Sequence, residues 1–471
     1  MKESIPNNYR VDGNGTKDFS ISGGTGTVTF KNILNNGYLK IIKKSDNPNM
    51  TNDNQCYDLA GAEFEIYTDS ACTKKVTYSG GPIVTQKVTN SDGSVSYETR
   101  LVELVVGTYY VKETKPPKGF EIMDENQPFK VDIQTGHRKD QPFTLSVTNR
   151  AENDPMVISI TKLHEGYETE TIPSLAGTQF TVWYYDNLNK NVSGTPKKTW
   201  VLEVKQNSRG DWQAQLDDKW LVKEKSDDFY RSPNTKKPVL PYGTYKIQET
   251  QHAPGYTFNG GFTNADGTVS LSAKDPYITV VDKNTTGGVN LVGGNEYSAT
   301  NKTVPMSITL KKFGDGKQPL AGVTFKIQSK SGYAETQPDF QSELTTGPDG
   351  TVKWSKLHPD IYTITEIKTV DGYSLLQDPI EIKVPYRMTK EEANRQNLVD
   401  PNPKDDLDGV IWDEKTQTYY VTDLVFDITN DITFAVPYTG GTFSWTMLLP
   451  LGIGVGLWAV LAWFYTRRKS V

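Results

Sequence analysis

The feature that most limits how this chain can fold is a short alternating segment that occurs three times. It reads Gly-Thr-Tyr-Tyr-Val-Lys-Glu-Thr at 107–114, Gly-Thr-Tyr-Lys-Ile-Gln-Glu-Thr at 243–250 and, more loosely, Ile-Tyr-Thr-Ile-Thr-Glu at 361–366. Alternation with a period of two predicts a β-strand with one buried face. On that face each copy carries a glutamate: Glu113, Glu249 and Glu366. Because an unpaired buried carboxylate is costly, each glutamate must be neutral, paired or used chemically.

Each repeat also opens and closes on an alternating strand whose apolar face ends in a polar residue. The first strand ends in a lysine and the last in an asparagine: Lys43 and Asn149, Lys162 and Asn301, Lys312 and Asn430. The alternative interpretation is that these are partly solvated polar residues near strand ends. The same residue types recur on the same face in all three repeats, which favours a common cause.

The repeats define the predicted domain organisation. Between the polar positions, each has a Leu-Ala-Gly step into a strand with an inward Phe, and a Gly-aromatic turn six residues after the glutamate. Long helical periodicities are absent, and Tyr, Thr, Val, Gly and Asn are abundant, so we predict an all-β chain of tandem β-sandwich modules. The modules are placed at 37–152, 153–303 and 304–433, the second with an insertion.

Residues 1–36 form a separate segment. Gly26-Thr27-Val28-Thr29-Phe30-Lys31-Asn32 reads as a strand ending in asparagine, like the last strand of each repeat. We therefore interpret 1–36 as the C-terminal remnant of a truncated upstream β module. A flexible leader is the alternative.

Two insertions depart from the repeat. Between Trp183 and Pro241 the second module contains a Trp- and Lys-rich excursion with Trp200, Trp212 and Trp220. It is interpreted either as extra strands of the sandwich or as an exposed aromatic face that binds a ligand. The third module has a polar insertion at 388–415, which we predict to be a solvated loop.

Charge and composition exclude several classes of function. The net charge is −6, and the sequence contains no basic stripe, so a nucleic-acid partner is not expected. The four histidines are scattered without metal-ligand spacing, and neither a metal nor a cofactor is predicted. Cys56 and Cys72 flank a short predicted strand. A secreted context would permit a disulfide between them, and two free thiols are the alternative.

The C-terminus predicts a membrane anchor. An apolar run from Trp445 to Tyr465 is long enough to cross a bilayer as one transmembrane helix, and the basic tail at 467–469 fits the cytoplasmic side. Ahead of the run stand Val436, Pro437, Tyr438, Thr439 and Gly440. A plain membrane anchor is one interpretation. The other is a sortase sorting signal, which has this layout but usually begins with Leu instead of Val.

Taken together, the motifs resemble the collagen-adhesin B-type (CnaB) and SpaA-type modules of Gram-positive pilins and cell-wall-anchored surface proteins. The resemblance implies prealbumin-like or Ig-like β-sandwiches, each carrying a spontaneous isopeptide bond between a lysine and an asparagine, assisted by a glutamate. Carried over by motif, it implies the bonds Lys43–Asn149 assisted by Glu113, Lys162–Asn301 assisted by Glu249, and Lys312–Asn430 assisted by Glu366.

This chemistry is physically reasonable at a buried site. Burial favours the neutral, nucleophilic amine of lysine and the neutral form of a carboxyl group. We expect the neutral glutamate to donate a hydrogen bond to the asparagine carboxamide oxygen and to shuttle a proton as ammonia leaves. The reaction would occur once per module, so the protein would not be an enzyme with turnover.

The resemblance also implies a function and a location. It implies an extracellular stalk or pilin-type protein, cut by sortase between Thr439 and Gly440 and joined to a peptidoglycan precursor or a pilin subunit. No acceptor lysine in a Tyr-Pro-Lys-like setting is present, which favours a terminal or basal subunit, or a single-chain stalk. The alternative function is an adhesin that binds a host protein through the Trp-rich second module.

Overall fold

The computed structural model describes residues 4–5, 8–13, 16–18, 20–123, 127–154, 159–164, 166, 169–258, 261–263, 269–272, 276–283, 297–395 and 409–433. No helix within these ranges is both long enough and apolar enough to cross a membrane. The predicted sorting signal and transmembrane helix at 434–471 lie outside the described residues. The N-terminal segment contains β1 (Tyr9–Val11) and β2 (Asn32–Leu34), which pair antiparallel.

Module 1 is a β-sandwich. Its elements are β3 (Asn36–Ser45), α1 (Pro48–Thr51), β4 (Glu63–Tyr67), β5 (Ile83–Val84), β6 (Gln86–Thr89), β7 (Val95–Glu98), β8 (Val102–Val105), β9 (Gly107–Lys115), β10 (Phe120–Glu121), β11 (Phe129–Ile133) and β12 (Phe143–Ala151). One sheet has the order β10-β12-β3-β7-β6, with β8 also paired to β3, and the other has the order β11-β9-β4-β5. Between them lies a core that includes Leu39, Ile41, Phe64, Val111 and Val147.

Module 2 repeats this arrangement with additions. Its elements are β13 (Asn153–Asp154), β14 (Ser159–His164), β15 (Gln179–Tyr185), β16 (Lys198–Glu203), β17 (Lys205–Gln206), β18 (Trp212–Gln215), β19 (Leu240–Pro241), β20 (Gly243–Gln251), β21 (Tyr256–Thr257), β22 (Gly261–Thr263), β23 (Val269–Ser272), β24 (Tyr277–Val281) and β25 (Tyr297–Thr303). The sheets have the orders β17-β18-β14-β25-β22-β23 and β16-β15-β20-β24, and β21 also pairs with β25.

Module 3 has the same two facing sheets and a further small one. Its elements are β26 (Met306–Phe313), β27 (Thr324–Ser329), β28 (Glu343–Thr345), β29 (Thr351–Leu357), β30 (Asp360–Lys368), β31 (Ile380–Val384), β32 (Tyr386–Thr389), α2 (Lys390–Arg395), β33 (Val410–Asp413), β34 (Thr418–Val421) and β35 (Asp423–Thr429). The sheet orders are β29-β26-β35, β28-β27-β30-β31 and β32-β34-β33. The predicted fold of tandem all-β sandwiches is therefore confirmed.

The first and last strands of every module are parallel neighbours in one sheet. The pairs are β3 with β12, β14 with β25, and β26 with β35. Their register is the same each time: the lysine lies opposite Val147, Ala299 or Ile428, and the asparagine follows two residues later. Because side chains alternate along a strand, the asparagine shares a face with the residue opposite the lysine.

The predicted strand ending at Asn32 is wrong. Asn32 begins β2, and residues 26–31 belong to no strand of the described structure. An extended segment forms a strand only when a neighbour takes up its backbone hydrogen bonds. Among the described residues of this segment, β1 and β2 form a short antiparallel ladder that does not include 26–31. The interpretation of 1–36 as the remnant of an upstream module remains a prediction.

The Trp-rich insertion of module 2 contributes to the protein interior. Trp200 is fully buried, and Phe229 and Tyr230 are buried beside it, with ring centroids 5.7 and 6.4 Å from the Trp200 ring. Trp212 and Trp220 are partly buried and pack against the same core. The insertion therefore contributes strands and core, as the first of the two interpretations states.

The polar insertion of module 3 is only partly a loop. Residues 388–415 contribute the end of β32, α2 and β33, and Trp412 packs on Tyr419 of β34 with ring centroids 4.4 Å apart. The small sheet contacts module 2, where Tyr420 Oη accepts a hydrogen bond from the Ser174 amide at 3.2 Å. The prediction of a solvated loop is thus wrong for the described part of 388–415. Its apolar residues lie among polar ones and form parts of strands in the small sheet β32-β34-β33.

Candidate cross-linking sites

Module 1 brings its predicted lysine, glutamate and asparagine into contact. Lys43 lies on β3, Asn149 on β12 of the same sheet, and Glu113 on β9 of the facing sheet. Lys43 Nζ donates to Glu113 Oε2 at 2.7 Å and to Asn149 Oδ1 at 2.5 Å. Asn149 Nδ2 donates to Glu113 Oε1 at 2.8 Å. One carboxyl group therefore contacts both the lysine nitrogen and the amide nitrogen.

Module 2 repeats the contacts to the glutamate. Lys162 Nζ donates to Glu249 Oε2 at 3.0 Å, and Asn301 Nδ2 donates to Glu249 Oε1 at 2.6 Å. The carboxamide oxygen of Asn301 is buried and accepts no hydrogen bond among the described residues. In this respect the second site differs from the first.

Module 3 also has all three residues in contact. Lys312 Nζ lies 3.0 Å from Glu366 Oε2 and donates to Asn430 Oδ1. Asn430 Nδ2 donates to Glu366 Oε1 at 2.6 Å and to Thr369 Oγ1 at 2.9 Å. Asn430 directly follows β35 instead of lying within it, yet it reaches the same position as its counterparts.

All nine side chains are buried, which alters the lysines electrostatically. Each of the nine residues is at most 4 % exposed. Desolvation lowers the pKa of Lys43 and of Lys162 to about 8, even though the neighbouring glutamate acts in the opposite direction. The pKa of Lys312 is lowered for the same reason. The lowered pKa increases the fraction of the neutral amine, which is the nucleophilic form, relative to a solvated lysine.

A buried phenylalanine covers each lysine amine. The rings of Phe64, Phe180 and Phe325 have their centroids 5.7, 6.0 and 5.8 Å from the lysine Nζ atoms. Each Phe pairs across the second sheet with the glutamate of its module, directly after a shift in register. The repeated Leu-Ala-Gly-x-x-Phe motif therefore supplies the apolar wall of the site.

The tyrosine four residues before each glutamate has a role that the alternation did not reveal. Its hydroxyl donates to the backbone carbonyl four residues upstream: Tyr109 to Val105 at 2.8 Å, Tyr245 to Pro241 at 2.7 Å and Tyr362 to His358 at 2.9 Å. A tyrosine that closes a strand connection in this way occurs in other β-sandwiches. The constant spacing to the glutamate is the signal that could have predicted it.

The position of the carboxyl group differs from the expected one in one respect. The glutamate accepts a hydrogen bond from the asparagine nitrogen, whereas we expected it to donate to the carboxamide oxygen. Its other oxygen faces the lysine in every module. The carboxyl is thus placed to exchange protons with both the attacking and the leaving nitrogen.

Cys56 and Cys72 are both free thiols, which is the second of the two interpretations given for them. Cys56 is buried where module 1 meets module 2, and burial raises the pKa of its thiol to about 11. Cys72 lies in the turn after β4. This five-residue strand, about 16 Å long, runs between Cys56 and Cys72. The sortase motif Val436–Gly440 lies outside the described residues.

The fold and these sites define a chain of prealbumin-like sandwiches, and comparison with known proteins agrees. The family model described as SpaA, prealbumin-like fold domain, matches residues 37–149 and 306–397. Residues 37–149 and 306–397 are therefore similar to the SpaA prealbumin-like domain, as the sequence motifs indicated. The first matched segment ends at Asn149.

Solved structures also match the chain, at low sequence identity and low TM-score. The Bacillus anthracis TIE protein is 17% identical with a TM-score of 0.39, and the match covers 85% of this chain and 51% of that one. This chain thus spans about half the length of that protein. BcpA, the major pilin subunit of Bacillus cereus, is 15% identical with a TM-score of 0.27, and the match covers 84% of this chain and all of the other. GBS52, the minor pilin of Streptococcus agalactiae, is 14% identical with a TM-score of 0.21, and the match covers 60% of this chain and 99% of the other. No curated protein matches the chain.

Proposed function

We propose that this chain is a non-enzymatic, stalk- or pilin-type protein of the Gram-positive cell surface, each of whose modules is closed by a self-formed isopeptide bond. The observation that carries the proposal is the threefold recurrence of one contact pattern. In every module Lys Nζ faces Glu Oε2 and Asn Nδ2 faces Glu Oε1, in a buried site. A structural role for the polar residues alone would not require the same three residue types in the same register each time.

The proposed reaction exchanges one amide for another. The neutral lysine Nζ attacks the asparagine Cγ, and a new Nζ–Cγ bond forms as the Cγ–Nδ2 bond breaks. The glutamate gives a proton to Nδ2, which leaves as ammonia, and takes one from Nζ, so no net proton is consumed. The fold supplies the proximity that an uncatalysed amide exchange lacks.

The proposed bond would join the two strands at which the chain enters and leaves the module. Lys43 and Asn149 are 106 residues apart in sequence, and Lys312 and Asn430 are 118 apart. Closing a loop of this length stabilises the folded state by about 5 kcal/mol in the chain-entropy model used for disulfides. A load along the chain would then pass through covalent bonds, which suits a stalk.

The mode of attachment is proposed from the sequence. Sortase would cleave between Thr439 and Gly440 and join Thr439 to a peptidoglycan precursor or to a pilin subunit. The apolar run after Gly440 would hold the chain in the membrane until then. The burial of Trp200, Phe229 and Tyr230 favours the stalk over the adhesin alternative, since that alternative relies on an exposed aromatic face.

The intact mass of residues 1–433, produced in a host without sortase, tests the proposed cross-links. We expect a mass short of the sequence value by three ammonia molecules. Glu249→Gln keeps the shape of the side chain but removes the acid, and it should restore one ammonia. The matched control Glu381→Gln changes an exposed glutamate of β31 and should leave the loss at three. A wild-type chain at its full sequence mass would refute the proposal.

A further inference from the structure

The asparagine of module 3 makes one hydrogen bond, to Thr369, that the asparagines of modules 1 and 2 do not make with the equivalent residue. A carboxamide nitrogen carries two hydrogens. Asn430 Nδ2 donates to Glu366 Oε1 at 2.6 Å and to Thr369 Oγ1 at 2.9 Å. Its oxygen accepts from Lys312 Nζ. The plane of this carboxamide is therefore defined by three different side chains.

The equivalent positions in modules 1 and 2 do not make this contact. Thr369 stands three residues after Glu366, and the residues three after Glu113 and Glu249 are Pro116 and His252. Pro116 has no polar side-chain atom. The Nδ1 atom of His252 lies 3.0 Å from the Ala253 carbonyl oxygen, and its ring packs edge-on against Phe258 at 4.7 Å.

The contact has a chemical consequence for the proposed exchange reaction. As Lys312 Nζ attacks, the leaving nitrogen changes from a planar amide to a pyramidal amine with a lone pair. Thr369 Oγ1 accepts one N–H of this nitrogen, which limits rotation about the Cγ–Nδ2 bond and keeps the nitrogen within hydrogen-bond distance of Glu366, the group that must protonate it. Correct orientation of a reacting group is a direct contribution to rate.

We propose that Thr369 is a positioning residue for the cross-link of module 3, where it orients the leaving nitrogen of Asn430 toward Glu366. The inference rests on the proposed function, because it assigns a role within that reaction.

The test follows cross-linking in time within one chain. Residues 1–433 are expressed under conditions that drive the chain into inclusion bodies before it folds, dissolved in denaturant and refolded by dilution, and an undiluted sample measures any cross-link already present at time zero. Samples are quenched in acid and digested, and each Lys–Asn cross-linked peptide is quantified by mass spectrometry. Modules 1 and 2 provide internal reference rates in every sample. The variants are Thr369→Val, which matches threonine in shape, and Thr369→Ser, which keeps the hydroxyl and removes the methyl group.

We expect Thr369→Val to slow the third cross-link roughly three- to tenfold, the range of one ordinary hydrogen bond, with the other two unchanged. Thr369→Ser should restore the rate. A third cross-link that forms at the wild-type rate in Thr369→Val overturns the inference. So does a Thr369→Ser variant as slow as Thr369→Val, since the methyl group would then be responsible. A wild-type chain that forms none of the three bonds overturns the proposed function itself.

Discussion

At the scale of single residues, each site places an amine and a carboxyl group in an apolar enclosure where they share protons. Desolvation is the main cause of the lowered pKa of Lys43 and Lys162. The carboxyl group lies 2.7 Å from the first of these amines and 3.0 Å from the second. In the proposed mechanism the lysine and the glutamate share one titratable proton. The reactive form has a neutral amine and a protonated carboxyl group, and the ion pair has an ammonium and a carboxylate. The two forms therefore contain the same number of protons.

This shared proton predicts how cross-linking depends on pH. Below about pH 8 the lysine–glutamate pair keeps its proton, so the rates for modules 1 and 2 should change little with pH. As the pH rises through the lowered lysine pKa of about 8, the proton is lost and the rates should fall, approaching tenfold per pH unit. The refolding assay performed from pH 6 to pH 10 measures this.

The opposite slope would identify a different mechanism. Rates that rise through pH 8 and then level off would mean that the reactive pair is a neutral amine with an ionised carboxylate. The proton would then travel from Nζ through the glutamate to the leaving nitrogen without being held on the glutamate beforehand.

At the scale of elements, the repeated Gly-Thr-Tyr motif has different steric requirements in different modules. Gly243, at the start of β20, has a φ of 153°. A Cβ atom there would meet the Tyr185 carbonyl oxygen and would lie 2.5 Å from the Tyr184 ring. A Cβ atom at Gly107 would lie 3.9 Å from its nearest neighbour, an atom of the Tyr109 ring. The third copy has Asp360 at this position. Only the second copy therefore requires glycine.

We predict that Gly243→Ala destabilises module 2 by about 2–4 kcal/mol, because it combines backbone strain with overpacking against a fixed carbonyl. Gly107→Ala is the matched control and should change stability by less than about 1 kcal/mol. Calorimetric unfolding of residues 1–433 would show the difference as a lowered transition in the first variant. Equal effects of the two substitutions would contradict this assignment.

At the scale of the whole molecule, the modules are joined by more than their linkers. Met50, Cys56 and Tyr57 of module 1 lie in the same apolar cluster as Tyr184 and Trp200 of module 2. The Tyr57 hydroxyl donates to the Glu152 carbonyl at 2.7 Å and accepts from the Tyr242 amide at 2.8 Å. These contacts come from the loop between β3 and β4, directly beyond the lysine-bearing strand.

The next junction uses the equivalent loop of module 2. Thr169 Oγ1 donates to the Pro359 carbonyl oxygen at 3.4 Å, and Glu170 forms an ion pair with Lys383 at 3.0 Å. Ile172 accepts a hydrogen bond from the Arg387 guanidinium. The same loop thus connects each module to its successor, and a candidate cross-link lies at the base of each loop. A chain built in this way should resist bending at its junctions and, with the proposed bonds formed, extension within its modules.

Resistance to extension can be measured by pulling single molecules. With all three bonds formed, no module should release its interior under load. Glu366→Gln removes the proposed bond of module 3 and should add one unfolding step of roughly 400 Å, because 118 residues extend by about 3.4 Å each. The control Glu381→Gln should extend like the wild type. A wild-type chain that already shows such a step would argue against a covalent closure of module 3.

The sequence by itself predicted the repeats, the sandwich class and the buried positions of nine polar residues. Each of these depends on the alternation of side chains along a strand, which is a local property of the backbone. Lys43, Glu113 and Asn149 could therefore be placed on apolar faces before their strands were placed in sheets. The spacing also indicated Phe64 as an inward residue, and it is buried.

Only the tertiary structure decided how these strands meet and what surrounds them. The parallel register that places Asn149 two residues beyond the partner of Lys43, and the turn of the glutamate toward the amide nitrogen, depend on contacts between residues many tens of positions apart. The free thiol of Cys56, the burial of Trp200 and the contact of Thr369 with Asn430 depend on them as well. Such contacts have no local pattern in the sequence, because their energy exists only once the sheets and modules have packed.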